Sequence, residues 1–150
     1  MQTIQHTFHF SSTPAAIIRA LIREDQIQKW WTKDASIISR NGLFQWEGHG
    51  WTVELGIKSP NDHSVIWSCT RSNMQNTNAW EGSTMMFELI KDESGTKVEF
   101  THSNYQDSPC FKVCSDGWNY FLGTSLKSFL ETGKGFPYPE TQNTSALPSE

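Results

Sequence analysis

Positions 2 to 10 alternate, with Ile4, His6, Phe8 and Phe10 on one side and Thr3, Gln5, Thr7 and His9 on the other. That period of two marks a strand covered on one face. The period then lengthens. Ser12 or Thr13 can cap a helix with Pro14 at its first position and an apolar set at Ile17, Ile18, Leu21 and Ile22. Asp25 can cap a second short helix over "QIQKWW", which the chain leaves at residues 32 to 34.

From Ala35 the period returns to two. Strands are bounded by Asn41-Gly42, by Gly48 to Gly50 and by Pro60-Asn61-Asp62, with a hairpin turn from Asp92 to Gly95. Six or seven mostly sequential strands follow, and sequential strands pair antiparallel. Phe44 and Trp46 share a face, as do Val53, Leu55 and Ile57, then Val65, Trp67 and Cys69, then Met85, Phe87 and Leu89, then Val98, Phe100 and His102. Glu54, Thr84, Glu88, Lys97, Glu99 and Thr101 point the other way, so one face of the sheet is apolar and the other wet.

A long helix is predicted over 109–132, starting at Ser108-Pro109 and stopping at Gly133, with Gly135 and Pro137 just beyond. Phe111, Cys114, Trp118, Phe121, Leu122, Leu126, Phe129 and Leu130 recur at spacings of three and four. At 1.5 Å per residue the helix is about 35 Å long, enough to cross a sheet. Residues 1–138 read as one α+β domain, and 139–150, poor in large apolar residues, as a flexible tail.

Composition changes this picture in one respect. Aromatic residues make up 13% of the 150 residues, with seven tryptophans, while apolar residues reach only 36%. Large rings supply core volume, and they also line ligand cavities. A formal charge of −4 without a basic cluster gives no footprint for nucleic acid or an anionic membrane. No leader or membrane-spanning run is legible, and three cysteines suit a reducing compartment, so the expected location is cytoplasmic.

The segments "TPAAIIRALIREDQIQKWW", "GWTVELGIKSP", "VIWSC", "GTKVEFTHSNY" and "GWNYFLGTSLKSFLETGKGFPY" resemble the SRPBCC (START-like) superfamily. Within it they are similar to the C-terminal domain of the activator of Hsp90 ATPase, the homologue 1-like branch, over nearly the whole chain to Tyr138. The resemblance implies a helix-grip fold, in which a curved antiparallel sheet holds the C-terminal helix, with a cavity between them that in many relatives holds a hydrophobic small molecule. It implies no catalytic set. These 150 residues show only the C-terminal domain type of the co-chaperone, so direct stimulation of Hsp90 is not the expectation, although a chaperone partner stays open.

The candidate lining comes from the inward faces. Trp46, Trp67, Trp80 and Trp118 stand with Phe87, Phe100 and Phe121, and Phe44, Val53, Leu55 and Met85 share those strand faces. Leu122 and Ser125 join from the helix. Each is equally an ordinary core residue. Gly117 and Gly123 cost helix propensity, roughly 1 kcal/mol each against alanine, repaid either by close approach to the sheet or by room for a guest. His102 either meets a ligand's polar group or is a core histidine bonded to a backbone carbonyl; His6 and Ser125 invite the same two readings.

Metal ligation is not expected. Cys110 and Cys114 lie four apart, but no second cysteine pair has zinc-like spacing. Nucleophile and phosphate-loop motifs are missing, and Glu47 and Glu81 are the only acids whose position at strand ends leaves acid–base work beside His102 open. The expected function is binding of a small, largely apolar molecule without a cofactor, in a stress or signalling setting. The alternatives are an enzyme of the cyclase or hydrolase type in the same cavity, or a protein-interaction module. A homodimer is left open.

Overall fold

A computed structural model of the chain describes residues 2–106 and 111–140. Seven strands form one sheet in the order β1-β7-β6-β5-β4-β3-β2, every neighbour antiparallel. They are β1 (Gln2–Phe10), β2 (Asp34–Ile38), β3 (Asn41–Trp46), β4 (Trp51–Asn61), β5 (Ser64–Ser72), β6 (Thr84–Asp92) and β7 (Gly95–Tyr105). Strands 2 to 7 form a meander, and β1 closes its far side by pairing with β7. Two short helices, α1 (Pro14–Ile22) and α2 (Glu24–Ile27), fill the connection from β1 to β2. The C-terminal helix runs as α3 (Phe111–Tyr120), a π-helical stretch (Phe121–Leu126) and α4 (Lys127–Thr132). This is the helix-grip architecture.

Local chemistry accounts for most boundaries. Thr13 caps α1, its Oγ1 accepting from Ala16 N at 3.2 Å, with Pro14 in the first turn. Gly133, at φ +86°, ends the C-terminal helix in the left-handed conformation. The alternating faces hold along the strands: Phe44, Val53, Trp67, Phe87 and Phe100 are buried, whereas Glu88 and Glu99 are exposed.

Three details differ from the sequence expectation. The helix α2 starts at Glu24 rather than being capped by Asp25, because the Glu24 carboxylate is drawn to β2, accepting from Ile37 N at 2.7 Å. Together with Gln28 Nε2, which donates to Ala35 O at 2.8 Å, it occupies edge groups of β2 that would otherwise stay open. The β2–β3 turn falls on Ser39 and Arg40, at φ 50° and 67°, two residues before Asn41-Gly42. Both central residues have the positive φ of a type I′ hairpin. The last helix is also not uniformly α-helical, and its expected start at Ser108 and Pro109 lies outside the described residues. Of the expected tail, 139–150, residues 141–150 also lie outside the described residues. Within its described start, Glu140 pairs with Lys33 Nζ at 2.5 Å.

One glycine is dictated by crowding. Gly95 sits at φ +146°, and a Cβ there would lie 2.0 Å from Phe10 O on β1. Gly50, at φ +75°, faces open space. Gly95→Ala is therefore expected to lower the unfolding free energy by more than about 3 kcal/mol, and Gly50→Ala by only about 1 kcal/mol, the cost of the backbone conformation alone. Urea denaturation of both variants checks this; equal losses would show that the approach of β1 to the hairpin is not tight.

Candidate functional site

The interior between sheet and helix is occupied by a column of indoles. Trp31, just beyond α2, is its hub. Its ring stacks on Trp67 of β5 at 5.1 Å between centroids and on Trp118 of α3 at 5.6 Å, and meets Trp46 edge-on at 5.2 Å. Trp30 extends the stack on Trp67 at 6.3 Å, and Trp80 extends it on Trp118 at 5.5 Å. Phe100 and Phe87 pack against Trp118 and Trp67 from the sheet. Offset and edge contacts of this kind add about 0.5–1.5 kcal/mol per pair to the area they bury.

The polar edges of the indoles hold the layers together. Trp30 Nε1 donates to Ala20 O at 2.7 Å and Trp67 Nε1 to Leu21 O at 3.1 Å. Those carbonyls belong to the last turn of α1, which has no intrahelical donors left for them. Ser125 Oγ, inside the π-helical stretch, donates to Trp30 O and accepts from Phe136 N, both at 2.7 Å. It thereby ties the C-terminal helix to the tryptophan pair and to the chain beyond the helix.

His102 is fully engaged. Trp118 Nε1 donates to its Nδ1 at 3.1 Å, so the neutral ring carries its proton on Nε2, which donates to Ser83 Oγ at 2.7 Å. The Ser83 hydroxyl in turn donates to Trp80 O at 2.5 Å. Burial pushes the His102 pKa down from 6.5 to about 3, because a charged ring here would lose its water. It would also cease to be an acceptor for Trp118.

The column stops short of filling one corner. A void of about 20 Å³ remains, lined by Trp31, Trp46, Met74, Trp80, Cys114, Gly117, Trp118 and Phe121. That is room for one water, not for the several hundred Å³ of a drug-sized ligand. The roomy cavity expected from the aromatic content is thus plugged in this conformation by the rings themselves. Trp46 and Trp80, 2% and 4% exposed, border the void, and neither indole N–H has an acceptor among the described residues. Leaving such a donor unmet costs about 1–3 kcal/mol.

Of the expected lining, Trp46, Trp80, Trp118 and Phe121 border the void. Phe44, Val53, Leu55, Trp67, Met85, Phe87, Phe100 and Leu122 are buried in the core and do not border it. His102 and Ser125 each make hydrogen bonds within the protein, and neither borders the void. Gly123 also serves packing: a Cβ there would stand 3.1 Å from the Phe8 ring. Gly117, by contrast, faces the void.

Trp31, Met74 and Cys114 line the void without having been expected there, whereas Gly117 had room for a guest as one of its two readings. Cys114 and Gly117 carry a signal that could have found them, since positions 114, 117, 118 and 121 share one helix face. Met74 carries none, because it lies in a 3-10 turn (Met74–Asn76) without periodicity.

Among the described residues no acid–base pair borders the void. Glu47 is exposed, and Glu81 Oε2 accepts from Ser72 N at 3.1 Å. Neither borders the void. Burial pushes the Cys69 thiol up to about 12, far from a reactive thiolate. Cys110 lies outside the described residues, and among the described residues no group of three His, Cys, Asp or Glu could hold a metal. None of the described helices is long and apolar enough to cross a membrane.

Comparison with known proteins agrees with the architecture. The family model described as activator of Hsp90 ATPase homolog 1-like protein matches residues 11–131. The solution structure of the Aha1 dimer from Colwellia psychrerythraea is 32% identical, with a TM-score of 0.76 over 90% of this chain and 100% of that one. A crystal structure of an HSP90 activator from Plasmodium falciparum is 18% identical, with a TM-score of 0.64 over 89% of this chain and 98% of that one. A Staphylococcus saprophyticus protein is 17% identical, with a TM-score of 0.67 over 89% and 95%. The last two show likeness of fold alone. No curated protein matches the sequence significantly.

The His102 relay has a measurable consequence. Its folded pKa lies below its unfolded one, so between about pH 6.5 and 3 the unfolded chain binds a proton that the native protein refuses. The stability it contributes is complete above pH 6.5 and is lost as pH falls through that window, on the order of 5 kcal/mol at most. Thermal melts followed by circular dichroism are expected to show a steeper loss of Tm from pH 6.5 to 4 in the parent than in His102→Asn. Parallel slopes would show that His102 is not excluded from protonation.

Proposed function

The chain belongs to the activator of Hsp90 ATPase homolog 1-like family, and from that premise we propose that it is a receptor for small, compact, largely apolar molecules, closed at rest. The guest site is the void between the sheet and the C-terminal helix. One observation carries this reading: the rings that line the void, Trp31, Trp46, Trp80, Trp118 and Phe121, are joined by the helix glycine Gly117, by Cys114 and by the flexible Met74.

Met74 is held in place by a short turn whose backbone is irregular. Gln75 and Asn76 both have positive φ, 59° and 60°. Methionine has three rotatable bonds and repacks at little cost. Swinging it aside joins the void to the space it vacates and admits one ring, while the Trp31–Trp67–Trp118 column stays intact. The driving force is burial of the guest's apolar surface, about 25 cal/mol per Å² before the costs of association.

A second reading is a protein-interaction module of the Hsp90-activator kind, which the family and the 32% identical Aha1 dimer support. On that reading the filled interior is a scaffold and the outer surface does the binding, with two copies associating as in that relative.

The two readings separate experimentally. For a receptor, Met74→Ala is expected to raise the affinity for a one-ring probe such as acetophenone roughly tenfold, since the plug no longer has to be displaced. Phe121→Trp is expected to abolish binding with folding intact. Calorimetric titration supplies the affinities, and the rise in Tm with probe concentration supplies an independent check. An unchanged affinity in both variants would remove the site from this place, and a purified Hsp90 that binds parent and Phe121→Trp equally would favour the interaction module.

A further inference from the structure

The unmatched buried polar side-chain atoms of the residues that line the void are both donors, and the selectivity inferred from them rests on the receptor reading. Two donors face no acceptor among the described residues: the indole N–H groups of Trp46 and Trp80, whose residues both border the void and are 2% and 4% exposed. Four other indoles are matched, Trp30 by Ala20 O, Trp67 by Leu21 O, Trp51 by Asn76 Oδ1 and Trp118 by His102 Nδ1. These two fully buried donors therefore depart from the pairing that buried donors normally keep.

The nearby polar side chains that could accept from a guest's donor do not line the void, and each already accepts a hydrogen bond from the protein. His102 takes its one acceptor position to Trp118, Ser83 accepts from His102, and Ser125 accepts from Phe136 N. Among the described residues no carboxylate or cationic side chain lines the void; apart from the rings its walls are Gly117 and the soft sulfur groups of Met74 and Cys114.

We infer that the site selects uncharged guests that carry a hydrogen-bond acceptor and no donor, the aryl ketone, aldehyde, ester and quinone class. Such a carbonyl satisfies an indole N–H that the protein leaves unmet, while its ring enjoys the apolar walls. An alcohol, phenol or amine brings a donor that would be buried without a partner. A carboxylate would give up its hydration for two neutral donors. A quaternary ammonium is attracted to ring faces, but among the described residues no carboxylate lines the void to balance its charge.

The test uses four probes of similar bulk: acetophenone, ethylbenzene, 4-ethylphenol and phenyltrimethylammonium. Affinities are measured by titration, and the indole N–H signals of ¹⁵N-labelled protein are followed by NMR, with assignments from single Trp→Phe variants. Acetophenone is expected to bind about tenfold or more tightly than each of the others, and to move the Trp46 or Trp80 N–H proton, or both, downfield. The preference over ethylbenzene should fall to about one in the doubly substituted Trp46→Phe, Trp80→Phe protein, whose dispersed spectrum certifies its fold. If ethylbenzene, the phenol or the ammonium binds as tightly as the ketone, or the ketone binds without moving either signal, the selectivity is wrong while the receptor stands. If none of the four binds, the receptor reading falls with it.

Discussion

The fold depends on how one helix and a seven-stranded sheet share an interior too wide for aliphatic side chains to fill. The indole column is the solution. Trp31 is inserted from the end of the α1–α2 connection between Trp67 on the sheet and Trp118 on the helix, with centroids 5.1 and 5.6 Å away. Much of the polar chemistry nearby is arranged around that insertion. The C-terminal carbonyls of α1 are met by Trp30 and Trp67, the π-helical stretch places Ser125 on the Trp30 carbonyl, and His102 is kept neutral as the acceptor for Trp118. Removing Trp31 would therefore cost more than its buried area, because the helix, the sheet and the α1–α2 pair meet on its ring.

The same column explains why the interior holds so little space. A helix-grip domain keeps a cavity where its middle is left unfilled; here stacked indoles occupy the middle, and the leftover volume is pushed to one corner. That corner is also where the packing rules relax, with a glycine on the helix, a methionine on an irregular turn and two unmatched indole donors. Departures from otherwise consistent local chemistry tend to mark functional or strained places. Family membership is compatible with two uses of such a domain, one through this corner and one through the outer surface, and the corner is where the geometry has chemistry to offer.

The strands were legible in the sequence because burial on one side imposes a period of two, and Phe44, Trp67, Phe87 and Phe100 keep to it. The start of α1 and the end of the C-terminal helix were legible because Thr13, Pro14 and Gly133 act through their own backbone or nearest neighbours. What was hidden depends on contacts distant in sequence. Glu24 starts α2 because it reaches β2, and Ser39 and Arg40 turn the chain with none of the usual glycine or asparagine. Trp31 was visible only as half of a tryptophan pair, and nothing local says that its ring would fill the expected cavity. Periodicity could place His102 inward but not decide its partners, which are Ser83 and Trp118 rather than a ligand or a backbone carbonyl.

The central claim is that the indole column is permanent and that only the corner beside it opens. Crystals soaked with 4-bromoacetophenone test it through the anomalous signal of bromine. The expected result is one bromine site among Trp46, Trp80, Trp118 and Phe121, with Met74 displaced and the Trp31–Trp67–Trp118 stacking unchanged. Bromine found between separated Trp31 and Trp118 rings, or bound only on the outer face of the sheet, would contradict it.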